Sequence, residues 1–446
     1  MSNITCGSIN INDKEYPFVL EKSTIKIAQG QSAFLRDFDG IEHMDSIHGI
    51  TSDNRDILFI NCNFNYSWLH TCNTISVQWY IISRKNNGEE YSFTTDKISF
   101  YSDAITMFYP PQMAVDDRKF EDDGVMLVTT SNWKEKLLSF SYNDLNCTFG
   151  FYHGINLKDH ETNIMSIVPY FSIEFPDTVP VDDGLITYIR YVYDFFSFVN
   201  HCSNVLFNKI ELSSKVENGL FDKDATVHIF QNATAYEGQK SNSVTILDFD
   251  KRHIGELFER SIALSSYQYH LLYPRKTFDR NHTDPARWLM KAVAFERVFS
   301  ETYPDHKSKK KPEFDAVKKR AIEAIAQIQV DPNSNKEQKY KEKFERHVEI
   351  YDGIMEEKFN HAYNQNKKHL SQVITSIEIQ HGTIPNNPGS TYMKYRDDLA
   401  HGNIRDIGNK ELIIHRLMEP LIYLMVLEKT HLSDDDKTKI INKLFS

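Results

Sequence analysis

The chain has 446 residues, 40% hydrophobic and 25% charged, values of a folded globular protein of two or three domains and not of a disordered or fibrous one. No apolar run approaches the ~20 residues of a membrane span, and Met1–Gly7 offers neither the basic nor the apolar region of a leader, so a cytoplasmic protein with no membrane partner is expected. The net charge of −11 is uneven, with 18 Lys+Arg against 34 Asp+Glu in residues 1–250 and 33 against 28 in residues 251–446, so only the second part suits a polyanion, and only locally.

Short runs rich in Val, Ile, Phe and Tyr predict strands at Tyr16–Leu20, Ile57–Asn61, Ile75–Ile82, Val125–Thr130, Leu137–Tyr142, Cys147–Tyr152, Ile164–Phe175, Asn204–Leu212, Thr226–Gln231 and Val244–Phe249. Turn residues such as Asn86-Asn87-Gly88 and Asp122-Asp123-Gly124 separate them. One helix interrupts the series, Leu185–His201. Many short strands with polar turns predict a β-rich sandwich or barrel-like domain over 1–250. The five cysteines (Cys6, Cys62, Cys72, Cys147 and Cys202) include no Cys-x-x-Cys pair, which points to free thiols in a reducing compartment.

From about Asp250 the apolar period becomes helical, so residues 251–446 are expected to form an all-α bundle. His253–Tyr273 is the first helix. Asp284 and Pro285 supply an N-cap and a first-turn proline for Ala286–Tyr303, whose Trp288, Leu289, Ala292, Phe295 and Phe299 share a face. Phe314–Val330, Lys339–Tyr363 and Leu370–Gln380 follow. After the breaker at Gly382–Gly389, Ser390 is expected to cap a short helix, Thr391–Ala400, with Gly402 ending it in the left-handed conformation. Asn409 opens Lys410–His431, which Pro420 should kink. The expected fold class is α+β and multidomain.

Within this second part, Arg396-Asp397-Asp398-Leu399-Ala400-His401-Gly402 combines two groups suited to phosphate chemistry. Arginine presents a planar fork of donors to a phosphate and to the extra charge of its transition state. Histidine titrates near neutrality and can move a ribose 2′-OH proton or protonate a leaving 5′-oxygen. The bare pattern of Arg, four to six residues and His carries little: chance alone yields about two matches in this composition, and Arg36/His43 and Arg275/His282 also fit. Only Arg396/His401 lies on a short predicted helix followed by a long apolar one. Read without further context, the segment is equally a solvated charge cluster ending in a helix-terminal histidine.

In that setting the segment resembles the signature of HEPN domains (higher eukaryotes and prokaryotes nucleotide-binding), in which the Arg is followed by a polar residue and the His often by Gly. Asp397 stands where Asn is commoner. The resemblance covers roughly 250–446. The Ala400-His401-Gly402 ending, after a β-rich domain, is most similar to the ApeA-type HEPN proteins of bacterial anti-phage defence. The resemblance implies a metal-independent endoribonuclease of abortive-infection type with no cofactor, acting as a homodimer or higher oligomer. Its RNA substrate is transfer RNA in parts of the wider family, and a phage-derived protein trigger would act at the N-terminal domain. It also admits a non-catalytic HEPN binding or dimerisation module with a ligand-recognising β domain.

Five residues along a helix correspond to ~7.5 Å of rise and ~140° of rotation. Arg396 and His401 therefore face different ways, and a two-fold dimer would bring two copies of each around one cleft. Arg396, His401 and Asp397 are the candidate catalytic group. Tyr395, Asp398 and Asn403 are candidates for substrate contact or for capping and packing. Glu296, at the edge of an apolar stripe, needs a partner that Arg396 can supply, or else reaches water. Lys307, Lys309, Lys310 and Lys311 form a basic run that would guide RNA or simply be solvated.

Overall fold

The structure, a computed structural model, describes the chain except residues 1–4, 28–37, 39, 67–71, 85–92, 121–125, 131–134, 143–144, 158–164, 182–183, 218, 231–242, 266–272, 275–282, 307–311, 331–334, 351–354 and 404–405. The predicted turns at 86–88 and 122–124 and the basic run 307–311 lie outside the described residues. The chain forms two compact units, Met1–Arg280 and Asn281–Ser446.

Period-two alternation builds the first unit. In β2 (Lys14–Glu21), Tyr16, Phe18 and Leu20 are buried and the residues between them face outward, as pleated backbone requires. This strand pairs with β1 (Thr5–Ile11) and β3 (Thr24–Ile27). With β4 (His43–Thr51), β5 (Asp56–Tyr66) and β6 (Cys72–Ser83) they run in the order β6-β3-β2-β1-β4-β5, and pairing of β5 with β6 closes a six-stranded antiparallel barrel. Closure leaves no free edge. The interior is filled by Ile9, Phe18, Ile25, Ile47, Phe59 and Ile75 among others.

The remaining strands are β7 (Thr94–Tyr101), β8 (Val115–Phe120), β9 (Met126–Thr130), β10 (Glu135–Tyr142), β11 (Leu145–Leu157), β12 (Met165–Pro180), β13 (Lys209–Lys215) and β14 (Phe221–Ile229). From β6 the sheet continues as β14-β13-β7-β12-β11-β10, while β8 and β9 form a separate ladder. One face of this extension carries Ile98, Phe100, Phe151, Phe171 and Ile173, all buried. Against it pack α1 (Asp103–Phe108), α2 (Gly184–Val199) and α3 (Ile254–Ser265). Phe108, Phe195 and Phe258 meet the sheet's aromatic rings at centroid distances of 4.5–6.3 Å. That packing holds α3 in the first unit, so the change to helical periodicity at Asp250 comes before the boundary between the units. The predicted strand Val244–Phe249 is instead a single 3-10 turn, Ile246–Asp248. There the Thr245 N–H and hydroxyl both bond Asp248 Oδ2, at 2.6 and 3.1 Å, a local alternative to a ladder. Cys62, Cys147 and Cys202 are buried free thiols, and Cys6 is free and half-buried.

The second unit contains eight helices among the described residues: α4 (Pro285–Thr302), α5 (Pro312–Ala326), α6 (Asn335–Ile350), α7 (Met355–Asn366), α8 (Ser371–His381), α9 (Pro388–Ala400), α10 (Asn409–Leu427) and α11 (Asp434–Phe445). Of the stretch predicted as one helix, Lys339–Tyr363, the described residues are helical in α6 and α7, and residues 351–354 lie outside the described residues. α10 continues through Pro420 and buries most of its length, Ile413 to Leu427, against α4, α7, α8, α9 and α11. α11 has no counterpart among the predicted elements. Ser433 caps it through the Asp436 N–H, three aspartates occupy its first turn, and Ile440, Ile441 and Leu444 are buried. Among the described residues no helix is long and apolar enough to cross a membrane.

Candidate active site

α9 carries the motif, and each part of it is fixed by a separate device. Its N-cap is Asn387, not Ser390: the Asn387 side chain accepts from the Ser390 N–H, and Pro388 takes the first helical position. The helix therefore starts a turn earlier than expected, because proline pre-sets the helical φ there. Asn360 of α7 donates to Asn387 Oδ1 at 2.8 Å and accepts from the Gly389 N–H at 2.9 Å. Glu356 accepts from Asn387 at 2.6 Å. Gly389 allows this approach, since a Cβ there would stand 2.2 Å from the Glu356 carbonyl oxygen.

The middle of α9 is anchored by aromatics. Tyr392 stacks on Phe359 and Trp288, with ring centroids 4.8 and 5.4 Å apart, and its hydroxyl donates to the Ala292 carbonyl at 3.2 Å. Tyr395 is fully buried edge-on against Trp288. Of its two expected roles it takes packing, and its ring presents nothing to a substrate.

The C-terminus forms a Schellman closure. The Asn403 N–H bonds the Asp398 carbonyl at 2.8 Å, the Gly402 N–H bonds the Leu399 carbonyl at 3.1 Å, and Gly402 has φ +76°. His401 is the C-cap residue, exposed like Gly402 and Asn403, with its N–H on the Asp397 carbonyl at 3.0 Å. Its ring makes no hydrogen bond among the described residues.

Arg396 lies on the flank of α9 and is about one third exposed. Its Nε donates to Glu296 Oε1 at 3.2 Å, and its Nη1 donates to Asp397 Oδ1 at 3.2 Å. The structure thus brings Glu296 and Arg396 together, one of the two arrangements expected for Glu296. Among the described residues two of the five guanidinium donors are engaged, so the remaining ones can meet an incoming oxyanion. Burial pushes the Glu296 carboxyl above its ordinary value, and the charges of Arg396 and of Lys358 on α7 recover only part of that cost. Lys358 is thereby a fourth charged member of the site, beside Arg396, Glu296 and Asp397. No sequence signal marked it, because it reaches the site only through the packing of α7 beside α4. Asp398 is half-buried on the same turn.

The arrangement is a guanidinium held between two carboxylates on a helix flank and, at the end of the same helix, an exposed imidazole. One chain can bind an oxyanion at Arg396 and can move a proton at His401, in different directions. Among the described residues no three His, Cys, Asp or Glu side chains are grouped to hold a metal ion. No protein-family model, curated protein or solved structure matches the chain.

Proposed function

We propose that the second unit is a metal-independent endoribonuclease whose cleft is shared by two copies of the chain, with the first unit controlling it. The observation that carries this reading is the division of labour on α9: Arg396 is oriented by Glu296 and Asp397 with donors to spare, while His401 stands exposed at a rigidly closed helix end. Two chains related by a two-fold axis would supply two guanidinium groups to one phosphate and an imidazole to each side of it. One imidazole takes the 2′-OH proton as O2′ bonds to phosphorus, and the other protonates O5′ as the P–O5′ bond breaks. The products are a 2′,3′-cyclic phosphate and a 5′-OH, and DNA is not cut. The attacking oxygen belongs to the substrate, so no metal is needed to generate the nucleophile. Val293 and Met290, exposed apolar residues on the helix that carries Glu296, support burial of this face between copies.

The resemblance to HEPN proteins of anti-phage defence supports an RNA substrate, with transfer RNA the first to test, a protein trigger of phage origin at the first unit, and a cytoplasmic site of action. The engagement of Arg396 by two carboxylates of its own chain favours a second reading, a non-catalytic HEPN-like dimerisation module. RNA cleavage in EDTA separates the two. Arg396→Ala and His401→Ala are each expected to lower the rate by ~10³-fold or more, and equal cleavage by both variants and wild type would exclude the catalytic reading.

A further inference from the structure

In the second unit, the basic surplus is concentrated in one stretch that stands apart from the bundle. Residues 307–350 hold 12 Lys and Arg against 8 Asp and Glu, out of 33 against 28 in residues 251–446. α5 and α6 lie in this stretch. They pack on each other as a helical hairpin and make no comparable contact with another helix among the described residues. Lys341 of α6 closes the pair. Its Nζ donates to the Ala326 and Ile328 carbonyls at 2.7 and 2.9 Å, which satisfies acceptors left open at the end of α5.

The hairpin is inserted between the two helices that carry Glu296 and Lys358, α4 and α7. Its root is pinned where α4 ends. The His361 ring of α7 meets the rings of Phe299, Tyr303 and His306, with centroids 6.0, 5.0 and 4.3 Å away. His361 lies about one turn along α7 from Lys358. The hairpin therefore springs from the rim of the candidate active site.

α6 sorts its side chains by angle. At ~100° per residue, Lys336, Tyr340, Lys343 and Phe344 fall within an arc of ~100°, bordered by Lys339 on one side and Glu337 on the other. Glu342 and Glu345 fall on the opposite flank. Tyr340 and Phe344 are 60% and 62% exposed, and neither ring meets another aromatic ring among the described residues. Both ring faces are therefore open, among lysines. The two residues are ~6 Å apart along the helix axis, against ~3.4 Å between neighbouring nucleotides of a duplex strand. That spacing suits bases splayed apart in a single-stranded RNA loop, each with a face to stack on a ring. Bases closed inside a duplex offer no such face. A helix lying in a membrane surface would need a broad apolar face, and this flank of α6 has only the two rings.

We propose that the α5–α6 hairpin is an arm that holds a single-stranded segment of RNA. Tyr340 and Phe344 each stack on one base, and Lys336 and Lys339 meet the flanking phosphates. Delivery of that RNA to the neighbouring cleft rests on the proposed ribonuclease reading, whereas the binding itself needs neither Arg396 nor His401.

The test is fluorescence anisotropy of the full chain with a short 2′-O-methyl RNA single strand, which has no 2′-OH to attack, and with a duplex of the same sequence. Saturable binding of the single strand is expected, tighter than that of the duplex. Tyr340→Ala/Phe344→Ala should weaken the single strand by about tenfold or more and leave the duplex unchanged. Lys336→Gln/Lys339→Gln should lower the slope of log affinity against log salt by about 1.4, the counterions of two phosphates on a single strand. All four positions are exposed, so melting curves should match wild type. Single-strand affinity unaltered in Tyr340→Ala/Phe344→Ala would overturn the proposal, as would tighter binding of the duplex. Dissociation of a dimer by that variant would assign the face to a second copy, and tighter binding of anionic phospholipid vesicles than of RNA would assign it to a membrane. Either result overturns the arm. Cleavage is scored separately: RNA cut by wild type with binding unaltered in the aromatic variant sinks the arm alone, and arm-dependent binding without cleavage sinks the ribonuclease reading alone.

Discussion

Glu211 and Glu296 are both carboxylates drawn out of water and held by cations, and they resolve the same problem in opposite ways. Burial alone would raise the pKa of either. At Glu211 the hydrogen bonds from Lys209, Lys223 and Tyr101 outweigh burial and bring it down to about 2. At Glu296 the nearby charges of Arg396 and Lys358 do not recover the cost, and its pKa stays above the ordinary range. The first is a charge anchor, ionised throughout the ordinary glutamate range and above it. The second is an orienting group whose grip on Arg396 weakens as the carboxylate takes up a proton. A saturated carboxylate organises a surface, whereas an under-compensated one tunes its partner.

The largest expected effect separates the two directly. Glu211→Gln should destabilise the first unit by roughly 3 kcal/mol at neutral pH, read from urea unfolding. The folded pKa is depressed, so this contribution is complete above the ordinary glutamate range and is lost as pH falls toward about 2. In the variant, that acid-side loss should disappear from the stability–pH curve. A smaller effect is expected at the motif: Glu296→Gln should lower RNA cleavage about tenfold, the cost of a less constrained guanidinium, and flatten the acid limb of the rate profile. An unchanged rate would reduce the Glu296–Arg396 pair to packing. Asn387→Ala should cost about 1 kcal/mol through loss of the α9 cap, measured by thermal melting, and Ser390→Ala close to nothing. The smallest effect is the stability of Glu296→Gln. With a raised folded pKa, protonation of Glu296 favours the fold at low pH, and that benefit fades as pH rises through the folded value. A neutral isostere should therefore stay within ~0.5 kcal/mol of wild type at pH 7, opposite in character to Glu211→Gln.

Local signals were legible in the sequence where one or two residues decide the backbone. Asp284-Pro285 opens α4 as expected, with the Asp284 side chain accepting from the Arg287 N–H, and Gly402 closes α9 in the left-handed conformation. The Glu296–Arg396 contact was legible only in part: a carboxylate at the edge of an apolar face calls for a partner or for water, and the structure decides for Arg396. Features made by distant segments were not legible. Barrel closure depends on β5 pairing with β6 as well as β4, which no local pattern encodes. The Glu211 cluster joins Arg84, Tyr101, Lys209 and Lys223 through contacts up to 127 residues apart. Ser390 reads as the cap of α9 because Asn387, the actual cap, and Pro388 sit inside a run that reads as a breaker. α11 has a weak sequence signal although Ser433 and three aspartates mark its start, because its apolar residues are few.

The central claim is that Arg396 and His401 work only when two chains share a cleft, and subunit mixing tests it most directly. Wild-type chain is combined with increasing amounts of the Arg396→Ala/His401→Ala double variant, the subunits are allowed to exchange, and cleavage of RNA in EDTA is followed. The shared cleft predicts that activity per wild-type chain falls to about half at equimolar mixing and toward zero in excess variant, as wild-type pairs become rare. Activity that stays proportional to the wild-type chain at every ratio would contradict it.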